Sequence, residues 1–312
     1  MTLDLRTELQ EALGVSAAQL NRLILRAPHT YKIYTIPKRT GGRRTIAQPA
    51  RETKFLQHWL IKNLFSRLPV HACAMAYQPD SCIRRNAEAH IHNSYLAKFD
   101  FKNFFTSIKT DALVAHFSKY LSEYLSESDI HDVARISCIK PEGGGAMSLS
   151  IGAPSSPILS NSIMFEFDTA VFAWCQKNDF VYTRYADDLA FSTSKKDVCN
   201  TVEAAIRRVV RSLEYPRLMF NNKKTTFVSK KHQRRVTGLI IANDETVSLG
   251  RDRKRVISAF IHKYSLGLLA EDETWSLQGL LAFALDVEPP FIRRMSAKYG
   301  SEVIEAIFQV RK

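Results

Sequence analysis

The sequence is poor in cysteine, in long apolar runs and in acidic residues. Its five cysteines are an odd number without CxxC spacing, so we expect neither a disulfide framework nor a cysteine-type zinc site. The apolar runs are short, as at residues 280–285, whereas a membrane-spanning helix needs about 18 or more apolar residues. Asp4, Glu8 and Glu11 stand where a secretion signal would be basic and then apolar. We therefore expect a cytoplasmic protein with no membrane partner.

The positive charge of the chain is concentrated in two blocks. The 312 residues carry a formal net charge of +13, with 45% apolar and 24% charged residues, a composition that folds. Residues 31–67 hold nine Lys or Arg against one acid, and residues 223–263 hold eleven against three. Two basic arms around a carboxylate-bearing centre suit a polyanionic partner, although two solvated helix faces would give the same pattern.

Hydrophobic periodicity and turn residues predict mixed helices and strands, followed by a helical C-terminal third. The predicted helices are residues 16–26, 52–68, 201–213, 251–264, 275–285 and 290–299. The predicted strands are residues 31–36, 44–47, 96–101, 180–185 and 189–193. Thr40-Gly41-Gly42 is the expected turn of a basic hairpin between the first two strands. This order indicates an α+β fold with a helical lobe.

Two adjacent carboxylates, Asp187 and Asp188, stand at the predicted tip of a second hairpin. They repel each other and are poor strand formers, so a bound cation would explain them, although a polar turn is the simpler interpretation of an isolated pair. Asp100 ends a predicted apolar strand and provides a third carboxylate. Three such groups could hold two Mg²⁺ ions about 3.5–4 Å apart, the arrangement used for in-line phosphoryl displacement. Because neighbours in an extended chain face opposite ways, we expect Asp187 to be the main ligand with Asp100, and Asp188 to contribute partly or to hold the turn.

Several sequence boxes resemble those of reverse transcriptases, the RNA-directed DNA polymerases, and stand in that family's order over about residues 30–240. They are Tyr185-Ala186-Asp187-Asp188, Asp100 with Phe104-Phe105, Gly152-Ala153-Pro154-Ser155-Ser156-Pro157 with Leu159 and Asn161, residues 218–225 with Asn221 and Lys224, and Arg44-Thr45-Ile46 with Pro49 and Leu56-Gln57. One residue departs from the pattern: Ile151 stands where the family commonly has Gln. The departure puts in doubt a polar contact to template or nucleotide.

Two further motifs resemble signatures of bacterial retron reverse transcriptases. They are Asn86-Ala87-Glu88-Ala89-His90 and Val236-Thr237-Gly238. The resemblance implies that the enzyme binds its own structured non-coding RNA, starts from a guanosine 2′-hydroxyl and makes branched, RNA-linked single-stranded DNA. It also implies a role in anti-phage defence with a separate effector protein.

The same resemblance implies a right-hand polymerase of fingers, palm and thumb. We expect fingers with an N-terminal helical extension over residues 1–95 and a palm with an antiparallel sheet over 96–235. The palm would include an insertion at about 110–150 that contributes to the fingers. A helical, RNA-binding thumb is expected over 236–312. The implied ligands of the two Mg²⁺ ions are Asp100, Asp187, Asp188 and the backbone carbonyl of Phe101.

Candidate contacts to a deoxynucleoside triphosphate lie around these carboxylates. Arg44 could bind the triphosphate from its hairpin, and Lys224 could approach the leaving pyrophosphate. Phe105 could exclude a ribose 2′-hydroxyl, although a core position is the commonest fate of Phe. The box containing Gly152, Ala153 and Pro154 would let the backbone approach the substrate, as a plain turn also would.

Candidate RNA contacts lie in two places. Asn86 and His90 are four residues apart and could share a helix face that touches RNA. A structural role for the histidine is an equally good interpretation. The basic face of the helix over 251–264 carries the other candidates, which are Arg251, Arg253, Lys254 and Arg255. Two alternatives stay open at this point. One is another bacterial reverse transcriptase, of group II intron or abortive-infection type, and the other is an RNA-binding defence scaffold that does not polymerise.

Overall fold

Fourteen α-helices and nine β-strands occur in the residues that this computed structural model describes, 4–38, 41–79 and 81–311. The helices are α1 Leu5–Leu13, α2 Ala17–Arg26, α3 Arg51–Asn63, α4 Ile83–Glu88, α5 Phe104–Ser107, α6 Thr110–Leu121, α7 Glu127–Ser137, α8 Ser156–Ile163, α9 Phe165–Asn178, α10 Cys199–Ser212, α11 Arg251–Ser265, α12 Glu271–Val287, α13 Pro289–Tyr299 and α14 Ser301–Gln309. The strands are β1 Tyr31–Pro37, β2 Arg43–Pro49, β3 Tyr95–Asp100, β4 Val181–Tyr185, β5 Asp188–Thr193, β6 Thr226–Ser229, β7 Arg234–Val236, β8 Leu239–Ile241 and β9 Val247–Ser248. None of the described helices has both the length and the apolar character needed to cross a bilayer.

A four-stranded antiparallel sheet, in the order β4-β5-β3-β6, forms the centre of the molecule. Alternate residues of a strand face opposite sides, so this sheet serves two cores. Phe99 and Phe191 pack edge to face, 5.7 Å apart, in the core shared with the N-terminal helices and with α6–α10. Leu96 and Ala190 face the other way, into a second core with the C-terminal elements.

The second core is built on a small three-stranded sheet, β7-β8-β9, and the helices α11–α14. Sequence patterning predicted the helices over 251–264, 275–285 and 290–299, but it missed this sheet and α14. The strands are only two or three residues long, too short for an alternating pattern to be visible. Between the two sheets lies α4, whose Ala87 is fully buried in the second core.

Most of the other predicted elements are confirmed within two residues at each end. Ser16 and Gln19 form the capping box that begins α2. The predicted helix over 52–68 is too long, because α3 ends at Asn63 and a 3₁₀ turn, Phe65–Arg67, follows. The Asn63 side chain donates to the Trp59 carbonyl at 2.9 Å, a local bond that competes with continued helix. Thr40 of the predicted turn lies outside the described residues.

A buried ion pair joins the β4–β5 hairpin to α8 and α9. Arg184 on β4 and Asp168 on α9 are both fully buried, and Nη2 of Arg184 lies 2.6 Å from Oδ2 of Asp168. The Tyr182 hydroxyl donates to the same carboxylate at 2.8 Å. Nη1 of Arg184 donates to Oδ1 of Asn161 and to the carbonyl oxygen of Ala186, both at 3.1 Å. The pair is therefore fully hydrogen-bonded, the condition under which buried charges are tolerated.

Replacing Arg184 by Met would leave the Asp168 carboxylate buried without its cation. We expect the Arg184→Met variant to lose about 3–5 kcal/mol of unfolding free energy, measured by urea denaturation. The matched control is Lys195→Met, which removes one partner of an exposed ion pair with Asp179 and should cost less than about 1 kcal/mol. Equal midpoints for the two variants would contradict a structural role for the buried pair.

Candidate active site

The three predicted carboxylates come together at one end of the central sheet. Asp100 ends β3 and lies opposite Asp188, the first residue of β5, in the antiparallel register. The turn before Asp188 contains Ala186 in a left-handed conformation, φ 56°. The backbone N–H of Phe101 donates to the carbonyl of Asp187 at 3.1 Å, which fixes the turn against β3. The hairpin tip is thus held both by β3 and by Arg184.

The carboxylates disturb one another electrostatically. Asp100 is only 3% exposed; its Oδ1 accepts from Nδ2 of Asn221 at 3.1 Å, and its Oδ2 lies 2.6 Å from Nζ of Lys224. Burial and the charge of Asp100 raise the pKa of Asp187. Loss of solvent around the carboxyl, with the charges of Asp187 and Asp100, raises the pKa of Asp188 to about 6. Ionisation of Asp187 and Asp188 is therefore unfavourable without a further cation.

The donor set suits a hard divalent cation, because it consists of anionic oxygens that repel each other. The described residues contain no group of three His, Cys, Asp or Glu already arranged around a common metal position. Asp100 and Asp187 would therefore hold such an ion with ligands from the backbone, from water and from substrate phosphates, as Mg²⁺ commonly requires. The metal roles of all four predicted ligands, Asp100, Asp187, Asp188 and the Phe101 carbonyl, stay predictions.

The β1–β2 hairpin brings Arg44 toward the carboxylates. Arg44 is exposed, and its charge offsets part of the rise in the pKa of Asp187 that burial and Asp100 cause, so the two side chains lie within electrostatic range. Arg43 is occupied instead, since its Nε donates to the Thr35 hydroxyl at 2.6 Å. This arrangement supports the choice of Arg44 over Arg43 as the nucleotide contact.

The glycine box packs directly against β2. The Ala47 N–H donates to the Ile151 carbonyl at 2.8 Å, and Gly152 has φ +117°. A Cβ on Gly152 would lie 2.9 Å from Cγ2 of Ile46 and 3.0 Å from the Ala47 carbonyl oxygen, so glycine is required for this close approach. Ala153 is buried and Pro154 half-buried, so Gly152 is the exposed residue of the three.

Phe105 lies on α5 beside the carboxylate strand. It is half-buried, and its ring packs edge to face on Phe104 at 5.5 Å. Phe104 is buried in the first core. The partial exposure of Phe105 keeps it available for the predicted contact with a nucleotide sugar, which stays a prediction.

The predicted RNA contact by Asn86 and His90 is wrong as a surface contact, because both side chains lie in the interior. His90 is fully buried, with Nδ1 2.7 Å from the Ser192 hydroxyl and Nε2 2.8 Å from the Thr183 hydroxyl. Burial lowers the pKa of His90 to about 3, so the ring is neutral. Its role is to join the segment after α4 to β4 and β5. The four-residue spacing was compatible with either role and could not separate them.

The four basic candidates on α11 fall into two pairs. Arg251 and Arg255 are exposed. Lys254 binds Glu288 at 2.7 Å, and the Arg253 guanidinium lies 5.1 Å from the ring centroid of Phe283. Arg251 and Arg255 are therefore the better placed to meet RNA, while Lys254 and Arg253 hold α11 to its neighbours. The partner of Lys254 is 34 residues away, so no local pattern could reveal it.

Sequence reasoning also missed one cation near the carboxylates, Lys98. It lies on β3, two residues before Asp100, and therefore on the same face of the strand. The period-2 pattern carried this signal, since a lysine inside an otherwise apolar strand is unusual.

The chain is similar to several known proteins. A family described as "Reverse transcriptase (RNA-dependent DNA polymerase)" matches residues 36–241. The Retron Ec83 reverse transcriptase of Escherichia coli is 37% identical, over 98% of this chain and 98% of the relative. The Retron Ec73 reverse transcriptase of Escherichia coli is 32% identical, over 90% of each chain. A solved structure of telomerase from Candida albicans, in complex with a fragment of telomeric RNA, is similar to this chain. The alignment covers 92% of this chain and 58% of the telomerase chain. Its TM-score is 0.51 and its sequence identity 14%, a likeness that shows the fold alone.

The fold and the family match define an RNA-directed DNA polymerase with the right-hand polymerase architecture. The chain belongs to the reverse transcriptase family, and within it to the bacterial retron reverse transcriptases. The predictions of family, α+β fold class and polymerase activity are confirmed. The domain boundaries at residues 95 and 235 stay predictions.

The raised pKa of Asp188 predicts a pH-dependent stability change. Its pKa is above the ordinary value of 3.8, so its ionisation destabilises the native state as the pH rises from about 4 through about 6. In a chelating buffer at pH 7.5, we expect the free energy of unfolding of Asp188→Asn to exceed that of wild type by about 1 kcal/mol. This value allows for the screening of the exposed side chain by solvent. The advantage should vanish near pH 4. The measurement is urea denaturation across this pH range, with Asp197→Asn as the exposed control; an advantage independent of pH would contradict the repulsion.

Proposed function

We propose that this reverse transcriptase makes branched, RNA-linked single-stranded DNA, starting from the 2′-hydroxyl of a guanosine in its own structured non-coding RNA. The observation that carries the proposal is the convergence of Asp100, Asp187 and Asp188 in a chain whose relatives are retron reverse transcriptases. The proposed partners are that RNA, its DNA product, deoxynucleoside triphosphates and a separate effector protein in anti-phage defence.

The proposed first step is an in-line displacement at the α-phosphorus of the incoming nucleotide. The 2′-oxygen forms a bond to phosphorus, the bond from phosphorus to the pyrophosphate oxygen breaks, and the hydroxyl proton is lost to solvent. Two Mg²⁺ ions, when bound, would lower the pKa of the hydroxyl and stabilise the leaving group. Asp100 and Asp187 would hold these ions, and Asp188 would assist.

The chain's own cations would bind the triphosphate. Arg44 approaches from β2 and can form two parallel hydrogen bonds to a phosphate. Lys224 already lies at the carboxylates, 2.6 Å from Oδ2 of Asp100, with 59% of its side chain exposed. It is well placed to contact the leaving pyrophosphate. Phe105 would lie under the sugar, and the exposed backbone of Gly152, packed against β2, would face the substrate.

Asp187→Asn tests the catalytic assignment. We expect at least a hundredfold loss of DNA synthesis, with RNA affinity within about twofold of wild type, because a neutral amide cannot replace a carboxylate ligand. Nucleic acid would be co-purified from cells that carry the native locus and run on a denaturing gel, with and without RNase and debranching enzyme.

The matched control is Asp197→Asn, an exposed aspartate with a positive φ that asparagine tolerates. It should make wild-type amounts of product. An RNase-resistant DNA that does not shift on debranching would leave an ordinary reverse transcriptase of another bacterial type. If Asp187→Asn makes no DNA but keeps wild-type anti-phage defence, the result would favour the alternative of an RNA-binding defence scaffold that does not polymerise.

The exposed basic face of α11 generates a prediction about RNA affinity. We expect Arg251→Gln with Arg255→Gln to weaken binding of the cognate RNA about tenfold at 150 mM salt and to reduce the salt dependence of the association constant, since fewer counterions are released. Filter binding over a salt series measures both. The control is Arg22→Gln with Arg26→Gln on α2, two exposed arginines far along the chain; an equal loss in this control would contradict a specific role for α11.

A further inference from the structure

A pocket of about 190 Å³ opens beside the catalytic carboxylates, between the central sheet and the β7–β8 turn. Its polar lining residues are Asn86, Lys98, Asp100, Asp188, Lys224 and Thr237. Phe99, Leu189, Ala190 and Val236 form its apolar wall. It is thus continuous with the site of the proposed chemistry, and none of the described residues of the β1–β2 hairpin lines it.

Lys98 is the feature of this pocket that the mechanism does not yet use. It is half-buried, and within the described ranges no hydrogen-bond or ion-pair partner binds its ammonium group. The other lysine of the pocket, Lys224, is already bound to Asp100. Burial disfavours the charge of this ammonium, while the nearby carboxylate of Asp188 favours it. Because none of the described residues accepts a hydrogen bond from the ammonium, its donors are open to a ligand.

The end of the pocket is polar and fixed in place. Asn86 is 1% exposed, and its Oδ1 has no partner among the residues that the structure describes. Its Nδ2 donates to Oγ1 of Thr237 at 3.4 Å, and this hydroxyl donates to the Ile83 carbonyl at 3.2 Å. The pocket therefore presents one cation, Lys98, beside a buried and fixed polar wall, and this arrangement suits a phosphate.

Initiation from a 2′-hydroxyl creates a need for such a site. An internal nucleotide that attacks through its 2′-oxygen still carries a phosphodiester on its 3′-oxygen. A primer that attacks through a terminal 3′-hydroxyl carries no phosphate at that position. The additional anion would lie beside the nucleophile and be repelled by Asp100 and Asp188 unless a cation neutralised it.

We propose that Lys98 binds the 3′-phosphodiester of the priming nucleotide. This inference rests on the proposed initiation from an internal 2′-hydroxyl and names the residue that makes it possible. Lys98 is thus a substrate-binding residue of initiation, with no corresponding role when a 3′-hydroxyl is extended.

Two variants and two reactions test this assignment. Lys98→Met keeps the length of the side chain and removes the charge, while Lys98→Arg keeps the charge. The first reaction is initiation on the cognate RNA, measured as branched product. The second is extension of a DNA primer annealed to an RNA template. Lys223→Met, a change at an exposed lysine next to Lys224, is the matched control for loss of one charge.

We expect Lys98→Met to lower initiation about tenfold to a hundredfold, the usual effect of one charge-assisted hydrogen bond, and to change primer extension by less than about twofold. Lys98→Arg should recover most of the initiation. Equal losses in both reactions, or wild-type initiation by Lys98→Met, would overturn the inference.

A change in the RNA tests the contact from the substrate side. In a two-piece RNA, the first strand can end at the priming guanosine as a 3′-deoxynucleotide, while a second strand provides the rest of the RNA and the template. This RNA keeps the 2′-hydroxyl and lacks the phosphate. Wild type and Lys98→Met should initiate on it at equal rates; a persistent defect would overturn the phosphate contact. If wild type formed no branched product on the intact RNA while still extending the annealed primer, the proposed function would fail and this inference with it. A wild-type branched product that is insensitive to Lys98 would overturn this inference alone.

Discussion

The buried pair of Arg184 and Asp168 is the interaction on which the active site depends. Arg184 stands on the strand that leads into the catalytic turn, and it holds the carbonyl of Ala186 inside that turn. Asp168 and Asn161 come from two helices behind the sheet, so one guanidinium fixes the hairpin to both. An arginine suits this position because its planar fork satisfies several acceptors at once and keeps its charge when buried. The carboxylates at the tip could otherwise relieve their repulsion by moving apart.

Both faces of the central sheet are covered, so the sheet connects the two cores of the protein. One face packs on the N-terminal core, and the other packs on α4 and the C-terminal core. His90 binds hydroxyls of β4 and β5, while Asn86 binds Thr237 at the β7–β8 turn. The two motifs that resemble retron signatures are about 150 residues apart, yet they form one connection between the catalytic sheet and the C-terminal lobe. This connection also forms the end of the pocket beside Asp188.

Local sequence patterns predicted most of the helices and strands that they were used for, but they did not predict contacts between residues that are distant in the sequence. Strand patterns predicted that β3 ends near Asp100 and that Asp187 and Asp188 lie at a hairpin tip, and the resemblance to reverse transcriptases implied that the three carboxylates meet. The burial of His90 could not be predicted, because its partners Ser192 and Thr183 lie about 100 residues further along the chain. The ion pair between Lys254 and Glu288 could not be predicted for the same reason, because the two residues are far apart in the sequence. The sequence shows Lys98 as a charged residue in an apolar strand. Its proposed role depends on a pocket lined by residues that are distant in the sequence and meet only in the folded chain.

Lys224 and Arg184 show how two cations of one site are suited to different tasks. Arg184 is fully buried and bonded on several sides, so it cannot leave its carboxylate without a large loss of stability. Lys224 ends a short 3₁₀ turn and has 59% of its side chain exposed, and among the described residues its ammonium binds one side-chain group, the carboxylate of Asp100. A solvated ammonium on a flexible stem can exchange one anion for another at little cost. The cation that neutralises Asp100 therefore also suits the proposed contact with the phosphates of an incoming nucleotide, because an exposed ion pair is weak.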